Sequence, residues 1–273
     1  RPGGSEDRLS GLKAALAAAD VRDSAALGAI LARFQPETIY HLASTTWNRE
    51  ASPEDHEQAI TQGMSGVLDA SDQWRPRRLI TTGSAAEYGS GAGFEEDSPC
   101  RPETALGRAK VKACHMAVQR AEQLGIECVW LRLFTPYGPL EAPTRLVPSA
   151  IRAALRRASR TLQSPNEERD FLAVADAVDA MARAAWVPLP NLAIINLSSG
   201  RTTNVASLAA LIFDCAGVEP RWEESGPAPP GGETLARSSG MNRRAREWLG
   251  WIPRLDLNTG IKQAIAWWKE QSS

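Results

Sequence analysis

The sequence predicts an α/β protein built on a mostly parallel sheet, and three observations carry that prediction. Strand-like apolar runs alternate with amphipathic helical stretches, the pattern of repeated βα units. Runs such as Glu127-Cys128-Val129-Trp130-Leu131-Arg132-Leu133 are nearly continuous in apolar residues, as in strands buried on both faces. A length of 273 residues, 43% hydrophobic and 23% charged, can bury a sizeable core in one large domain or in a domain with a smaller lobe.

Each element has a local reason. Residues 16–21 read as a short strand, and 24–33 as a helix with apolar positions at 26, 27, 30 and 31. A strand follows over 38–43, then a helix over 53–71 whose Pro53 suits a first turn. The segment Arg78-Leu79-Ile80-Thr81-Thr82-Gly83-Ser84 is a buried strand ending in small hydroxyl residues, and Ala85-Ala86-Glu87-Tyr88-Gly89 turns away from it. A helix over 102–124, closed by Gly125, precedes the strand over 127–133. Beyond Gly138-Pro139 the pattern loosens into a helix over 147–158, a short strand over 169–174, a helix over 175–186 and a strand over 192–197. A helix over 204–216 is closed by Gly217, residues 227–233 form a Pro/Gly-rich loop, and two short helices at 242–249 and 258–270 flank Trp251-Ile252-Pro253. The tryptophans are expected to fill the core and the lobe.

Several function classes fall away. A net charge of −1 gives no electrostatic reason to expect nucleic acid or an anionic membrane as partner. The pairs Arg156-Arg157 and Arg243-Arg244 lie in helical patterns and read as solvated faces. No apolar run approaches a membrane span, and no signal-peptide pattern opens the chain. Cys100, Cys114, Cys128 and Cys215 are far apart, so reduced thiols in a cytoplasmic protein are expected rather than disulfides. With histidines only at 41, 56 and 115, no metal centre is expected.

Asp20-Val21-Arg22-Asp23, His41-Leu42-Ala43-Ser44, Ser84 ahead of Tyr88-Gly89, the segment from Arg132 to Pro139 and the segment from Arg169 to Asp176 stand in a fixed order that resembles one family, the extended short-chain dehydrogenases/reductases of NAD-dependent epimerase/dehydratase type. Asp20-Val21-Arg22-Asp23 resembles the family's adenine-binding Asp-hydrophobe pair, and His41-Leu42-Ala43-Ser44 its His-x-Ala-(Ala/Ser) strand end beside the cofactor. Ser84 stands at the active-site Ser/Thr position, four residues before Tyr88-Gly89. Arg132-Leu133-Phe134-Thr135-Pro136-Tyr137-Gly138-Pro139 is similar to the segment bordering nicotinamide and substrate, and Arg169-Asp170-Phe171-Leu172-Ala173-Val174-Ala175-Asp176 to the one whose Arg contacts a substrate diphosphate. Asn196-Leu197-Ser198-Ser199-Gly200 and Leu249-Gly250-Trp251-Ile252-Pro253 complete the set.

The resemblance implies a Rossmann-type doubly wound parallel sheet with a smaller C-terminal substrate lobe. Residues 1–140 with 169–200 would form the dinucleotide-binding domain, and 141–168 with 201–273 the lobe. It implies NAD or NADP as cofactor, held by Asp20, Val21, Leu42, Ala43, Ser44, Lys110 and Phe134, and a nucleotide-sugar held by Ser84, Thr135 and Arg169. It also implies a homodimer, formed through the long helix containing Lys110 and the helix before it. The expected task is 4-ketoreduction or epimerisation of a nucleotide-linked (deoxy)sugar; Glu87-Tyr88-Gly89 after Gly83-Ser84 looks most like 4-ketoreductases. Ala85 and Ala86 stand where the family's dehydratases carry an acid, which argues against a 4,6-dehydratase.

The departures matter as much. The family's catalytic motif is Tyr-x-x-x-Lys, where the Tyr hydroxyl moves the proton that accompanies hydride transfer and the Lys lowers its pKa. Here Lys110 is kept and the Tyr position holds Leu106. Three readings are open: a residue lost to drift in a protein that still folds, an enzyme with another acid/base or chemistry needing none, and a deliberate mutation. Tyr88 could substitute, or be the ordinary Tyr of the Tyr-Gly turn. Arg169 could bind phosphate, or form a structural salt bridge to Asp170 or Asp176. Thr135 replaces the family Asn, and Pro229-Pro230-Gly231 lacks the Arg that grips the nucleotide. The family's glycine fingerprint is not found. Arg1-Pro2-Gly3-Gly4 looks like the loop after the second strand, so an N-terminal βαβ unit is expected to be missing, the alternative being a natural short form with an altered sheet. A non-redox cyclase, lyase or isomerase, or a silent binding protein on the same fold, stands as the rival function.

Overall fold

The computed structural model describes residues 13–44, 52–220, 222–224 and 235–271. Helix α1 (Ser24–Phe34) begins where the Asp23 carboxylate accepts from Ala26 N at 3.0 Å, and it leads into β1 (Thr38–His41). Helix α2 (Pro53–Gln73) opens on Pro53 and a capping box between Ser52 and Asp55. Strand β2 (Arg78–Ser84) is followed by a single helical turn over Ala85–Glu87, β3 (Gly91–Phe94), α3 (Ala105–Leu124) and β4 (Glu127–Leu133). Thr104 caps α3 by accepting from Gly107 N at 3.0 Å, which is why the helix starts there rather than at 102. Gly125 ends it at φ 68°, a left-handed conformation that suits glycine.

The rest comprises β5 (Thr135–Tyr137), α4 (Leu146–Leu155), β6 (Arg160–Leu162), β7 (Glu168–Arg169), β8 (Phe171–Ala173), α5 (Val174–Trp186) and β9 (Leu192–Leu197). Then come β10 (Thr203–Asn204), α6 (Val205–Ala216), β11 (Trp222–Glu224), β12 (Arg237–Gly240), α7 (Arg243–Leu249) and α8 (Leu257–Glu270).

The central sheet has the order β1-β2-β4-β9, every pair parallel, with Thr38 opposite Arg78, Arg78 opposite Glu127, and Cys128 opposite Leu192. Both faces are covered, as the Rossmann-like α/β architecture requires. On one face Leu79, Cys128 and Trp130 pack with Met64 of α2 and Ala113 of α3. On the other, Ile80, Val129 and Leu131 pack with Ala180 of α5 and Leu249 of α7. Leu79, Ile80, Val129 and Leu131 are fully buried, each contributing about 1.5–3 kcal/mol. A third cluster joins α4, α6 and α8 through Ile151, Ile212, Phe213 and Ile261. A small sheet of order β10-β7-β12-β3 ties segments distant in sequence to one another.

Five expectations are corrected. Residues 16–21 form no strand: none of the described residues pairs with them, and Leu16 is 66% exposed. The expected strand over 38–43 ends at His41. The strand over 169–174 is broken at Asp170, whose buried carboxylate accepts from Ser199 and Gly200, so β7 and β8 enter different sheets. Trp186 adds nothing to the core, being 82% exposed. Arg244 is not simply solvated: its guanidinium donates to the Ile194 carbonyl, pairs with Asp97 and lies 5.1 Å from the Trp248 ring. Arg1–Gly4 and the loop over 227–233 lie outside the described residues.

Candidate functional site

Ser84 closes β2 opposite Leu133 of β4. The sequence Ser84-Ala85-Ala86-Glu87 has the Ser-x-x-Glu spacing of a capping box, and it forms one. Ser84 Oγ accepts from Ala86 N at 3.2 Å, while Ser84 N donates to Glu87 Oε1 at 2.8 Å. Glu87 is fully buried, a position a carboxylate tolerates only when paired and hydrogen-bonded. Trp130 Nε1 donates to it at 3.0 Å and Arg132 Nε at 2.7 Å. Arg132 also donates through Nη1 to Tyr88 Oη at 2.7 Å and through Nη2 to Cys100 Sγ at 3.2 Å. Tyr88 Oη donates onward to Asn196 Oδ1 at 2.8 Å. A Cβ on Gly83 would stand 2.2 Å from Trp130 Nε1 and 2.3 Å from Glu87 Oε1, so this web admits only glycine beside Ser84.

Helix α3 meets this turn at close range. A Cβ on Gly107 would lie 2.2 Å from the Ala86 carbonyl oxygen, so the glycine lets the first helical turn rest on the Ser84–Glu87 turn. Its neighbour Leu106 is half-buried and packs against the cluster of Ile60, Leu79 and Trp130. One turn on, buried Lys110 donates through Nζ to the Thr82 carbonyl at 2.7 Å, one residue past the last β1–β2 pair, His41 with Thr81. Burial lowers the Lys110 pKa, and the negative charge of Glu87 opposes that shift. Ser84, Leu106 and Lys110 are thus brought to the same end of the sheet.

Tyr88 is not free to serve as a proton donor. Its Oη is committed to Arg132 and Asn196, and burial pushes its pKa up to about 12. The ring stacks on Phe94 at 4.7 Å. Phe134 belongs to the same cluster and is 1% exposed.

At the end of β1, Leu42, Ala43 and Ser44 are exposed. His41 is buried, and burial together with the Lys110 charge holds its pKa down at about 4. Asp20 and Val21 lie on a turn seated over α2, where a Cβ on Gly66 would stand 2.1 Å from the Val21 carbonyl oxygen. The Asp20 carboxylate accepts from Arg22 N at 2.9 Å and Arg22 Nη2 at 2.6 Å, and these bonds hold its pKa far below the usual carboxylate range. Asp20, Arg22, Asp23 and Gln62 line a shallow open groove.

Thr135 N donates to the Asp170 carbonyl at 2.9 Å. Arg169 pairs with neither Asp170 nor Asp176; its Nη2 bonds Glu167. Asp176 instead accepts from Arg254 N and Leu255 N. The Glu87–Arg132 pair and Asn196 are the parts that sequence reasoning missed, although the Ser-x-x-Glu spacing signals the first.

The model of the NAD dependent epimerase/dehydratase family matches residues 3–193. UDP-glucose 4-epimerase of Mycolicibacterium smegmatis is 27% identical over 93% of this chain and 82% of its own. The dTDP-6-deoxy-L-talose 4-dehydrogenase (NAD(P)(+)) of Kitasatospora kifunensis is 28% identical over 92% and 80%. The fold is shared with the crystal structure of a UDP-glucose 4-epimerase with UDP-glucose from Thermotoga maritima, at a TM-score of 0.85 and 22% identity, covering 93% of this chain and 84% of that one. The chain belongs to the NAD dependent epimerase/dehydratase family.

Proposed function

We propose that this family member reduces or epimerises a nucleotide-linked (deoxy)sugar with NAD or NADP, at a site where Leu106 stands in for the usual Tyr. The observation that carries the reading is the seating of Lys110 Nζ on the Thr82 carbonyl, two residues before a Ser84 fixed by Glu87. The names of two relatives, a UDP-glucose 4-epimerase and a dTDP-6-deoxy-L-talose 4-dehydrogenase, support the substrate class.

The described residues fit the two ends of such a cofactor. The exposed Asp20 carboxylate keeps unused lone pairs for an adenine amine, and the open backbone of Leu42, Ala43 and Ser44 offers a surface beside Lys110. The nicotinamide, when bound, supplies or accepts the hydride. Lys110 would hold its ribose, Ser84 Oγ would donate a hydrogen bond to the sugar oxygen, and Arg169 would take the diphosphate. Two copies would pair through α2 and α3.

Without a Tyr the general-acid contribution, on the order of 10²–10⁴-fold, is forgone. Leu106→Tyr is therefore expected to raise the rate of nucleotide 4-ketosugar reduction by about that factor. Equal turnover in the two proteins would show that another group already supplies the proton. Absence of NADH and NADPH binding in isothermal titration would defeat the redox reading altogether.

A further inference from the structure

Arg169 is the cation the proposed function assigns to a substrate diphosphate, yet its guanidinium already holds an anion. Nη2 bonds the carboxylate of Glu167, two residues earlier in the chain, with the two side chains 27% and 9% exposed. Glu167 is not a loosely placed neighbour. Its main chain is pinned on both sides, with Glu167 N donating to the Ser164 carbonyl at 3.1 Å and Val205 N of α6 donating to the Glu167 carbonyl at 3.0 Å. Arg169 is fixed as well, in β7 between Thr203 of β10 and Ser238 of β12. The next carboxylate, Glu168, is engaged by Arg237 at 2.7 Å, so Arg169, Arg237, Glu167 and Glu168 form two closed pairs.

We propose that Glu167 sets how strongly the site takes a phosphorylated nucleoside: it is a built-in anion that occupies Arg169 and has to be displaced by the phosphate of an incoming nucleotide. The inference rests on the reading of Arg169 as the diphosphate ligand. Its physical content is competition. A ligand that needs a free guanidinium binds with an affinity reduced by the fraction of time the guanidinium is free. A nucleoside monophosphate and the diphosphate link of a nucleotide-sugar each bring about two negative charges, and either can satisfy the planar fork of Arg169 with two oxygens. The pair therefore weakens every phosphate-bearing ligand by the same factor and leaves a nucleoside without phosphate untouched.

The test is isothermal titration of the whole chain with UDP, UMP and uridine, in wild type, Glu167→Gln, Arg169→Ala and the double variant, with dTDP as a second diphosphate. Glu167→Gln is expected to tighten UDP and UMP alike, by about tenfold, while uridine binds unchanged. The gain should vanish when Arg169 is also replaced, because the competition then has no object. A UDP affinity within twofold of wild type in Glu167→Gln, or a gain that persists in the double variant, overturns the inference while the nucleotide-sugar reading stands. No UDP or dTDP binding by any variant overturns both.

Discussion

Two neighbouring strand ends face the same site and are built differently. At the end of β2, both oxygens of Glu87 are partnered, Ser84 is held through its own main chain, and Gly83 and Gly107 are demanded by contacts of about 2.2 Å. At the end of β1, Leu42, Ala43 and Ser44 run on exposed, and on the turn over α2 the exposed Asp20 carboxylate binds Arg22 of its own turn. The contrast is one of support: the first end is locked by buried hydrogen bonds and close contacts, and the second is open to solvent.

The sharpest way to break that contrast is to remove one partner from the web. In Glu87→Gln the amide would turn N–H groups toward Arg132 and leave a buried guanidinium without its counter-charge, which should cost about 3–5 kcal/mol of stability in urea unfolding. A loss no larger than that of an exposed substitution would mean the web is not what fixes the turn.

His41 sits between the two regions and gives the next effect. Its folded pKa of about 4 lies below the ordinary histidine value of 6.5, so its contribution is full above 6.5. As pH falls from there toward 4, the unfolded chain takes up the proton first and stability drops, by on the order of 2–3 kcal/mol over that window. His41→Gln should flatten the acid side of the stability–pH curve between those values. An unchanged slope would assign acid sensitivity to other groups.

The smallest effect belongs to the open side. Arg22→Ala removes a fully exposed pair, and the thermal midpoint should stay where it is. A clear fall in the midpoint would show that the Asp20 turn carries structural weight, and the comparison between the two strand ends would lose its basis.

Much of the fold was legible because it is local. The cores of β2, β4 and β9 are continuous apolar runs, and Pro53, Gly125 and Gly217 mark helix ends by their own backbone preferences. Ser84 and Lys110 were legible as candidates only through the family resemblance of the segments that carry them. The small sheet was not, because β3 and β12 are two-sided, glycine-containing segments about 150 residues apart whose pairing no local pattern announces. Nor was the fate of residues 16–21, since a run with strand-like composition becomes a strand only where a neighbour pairs with it.

The sequence by itself determined the alternation of strands and helices and the caps, because each depends on residues within a turn or two of one another. Only the tertiary structure decided which charges meet. It set Arg132 on Glu87 across 45 positions rather than beside a ligand, took Tyr88 out of contention as a proton donor, and gave Arg169 to Glu167 instead of Asp170 or Asp176. Charge pairing depends on distance and burial, and neither exists until the chain has folded.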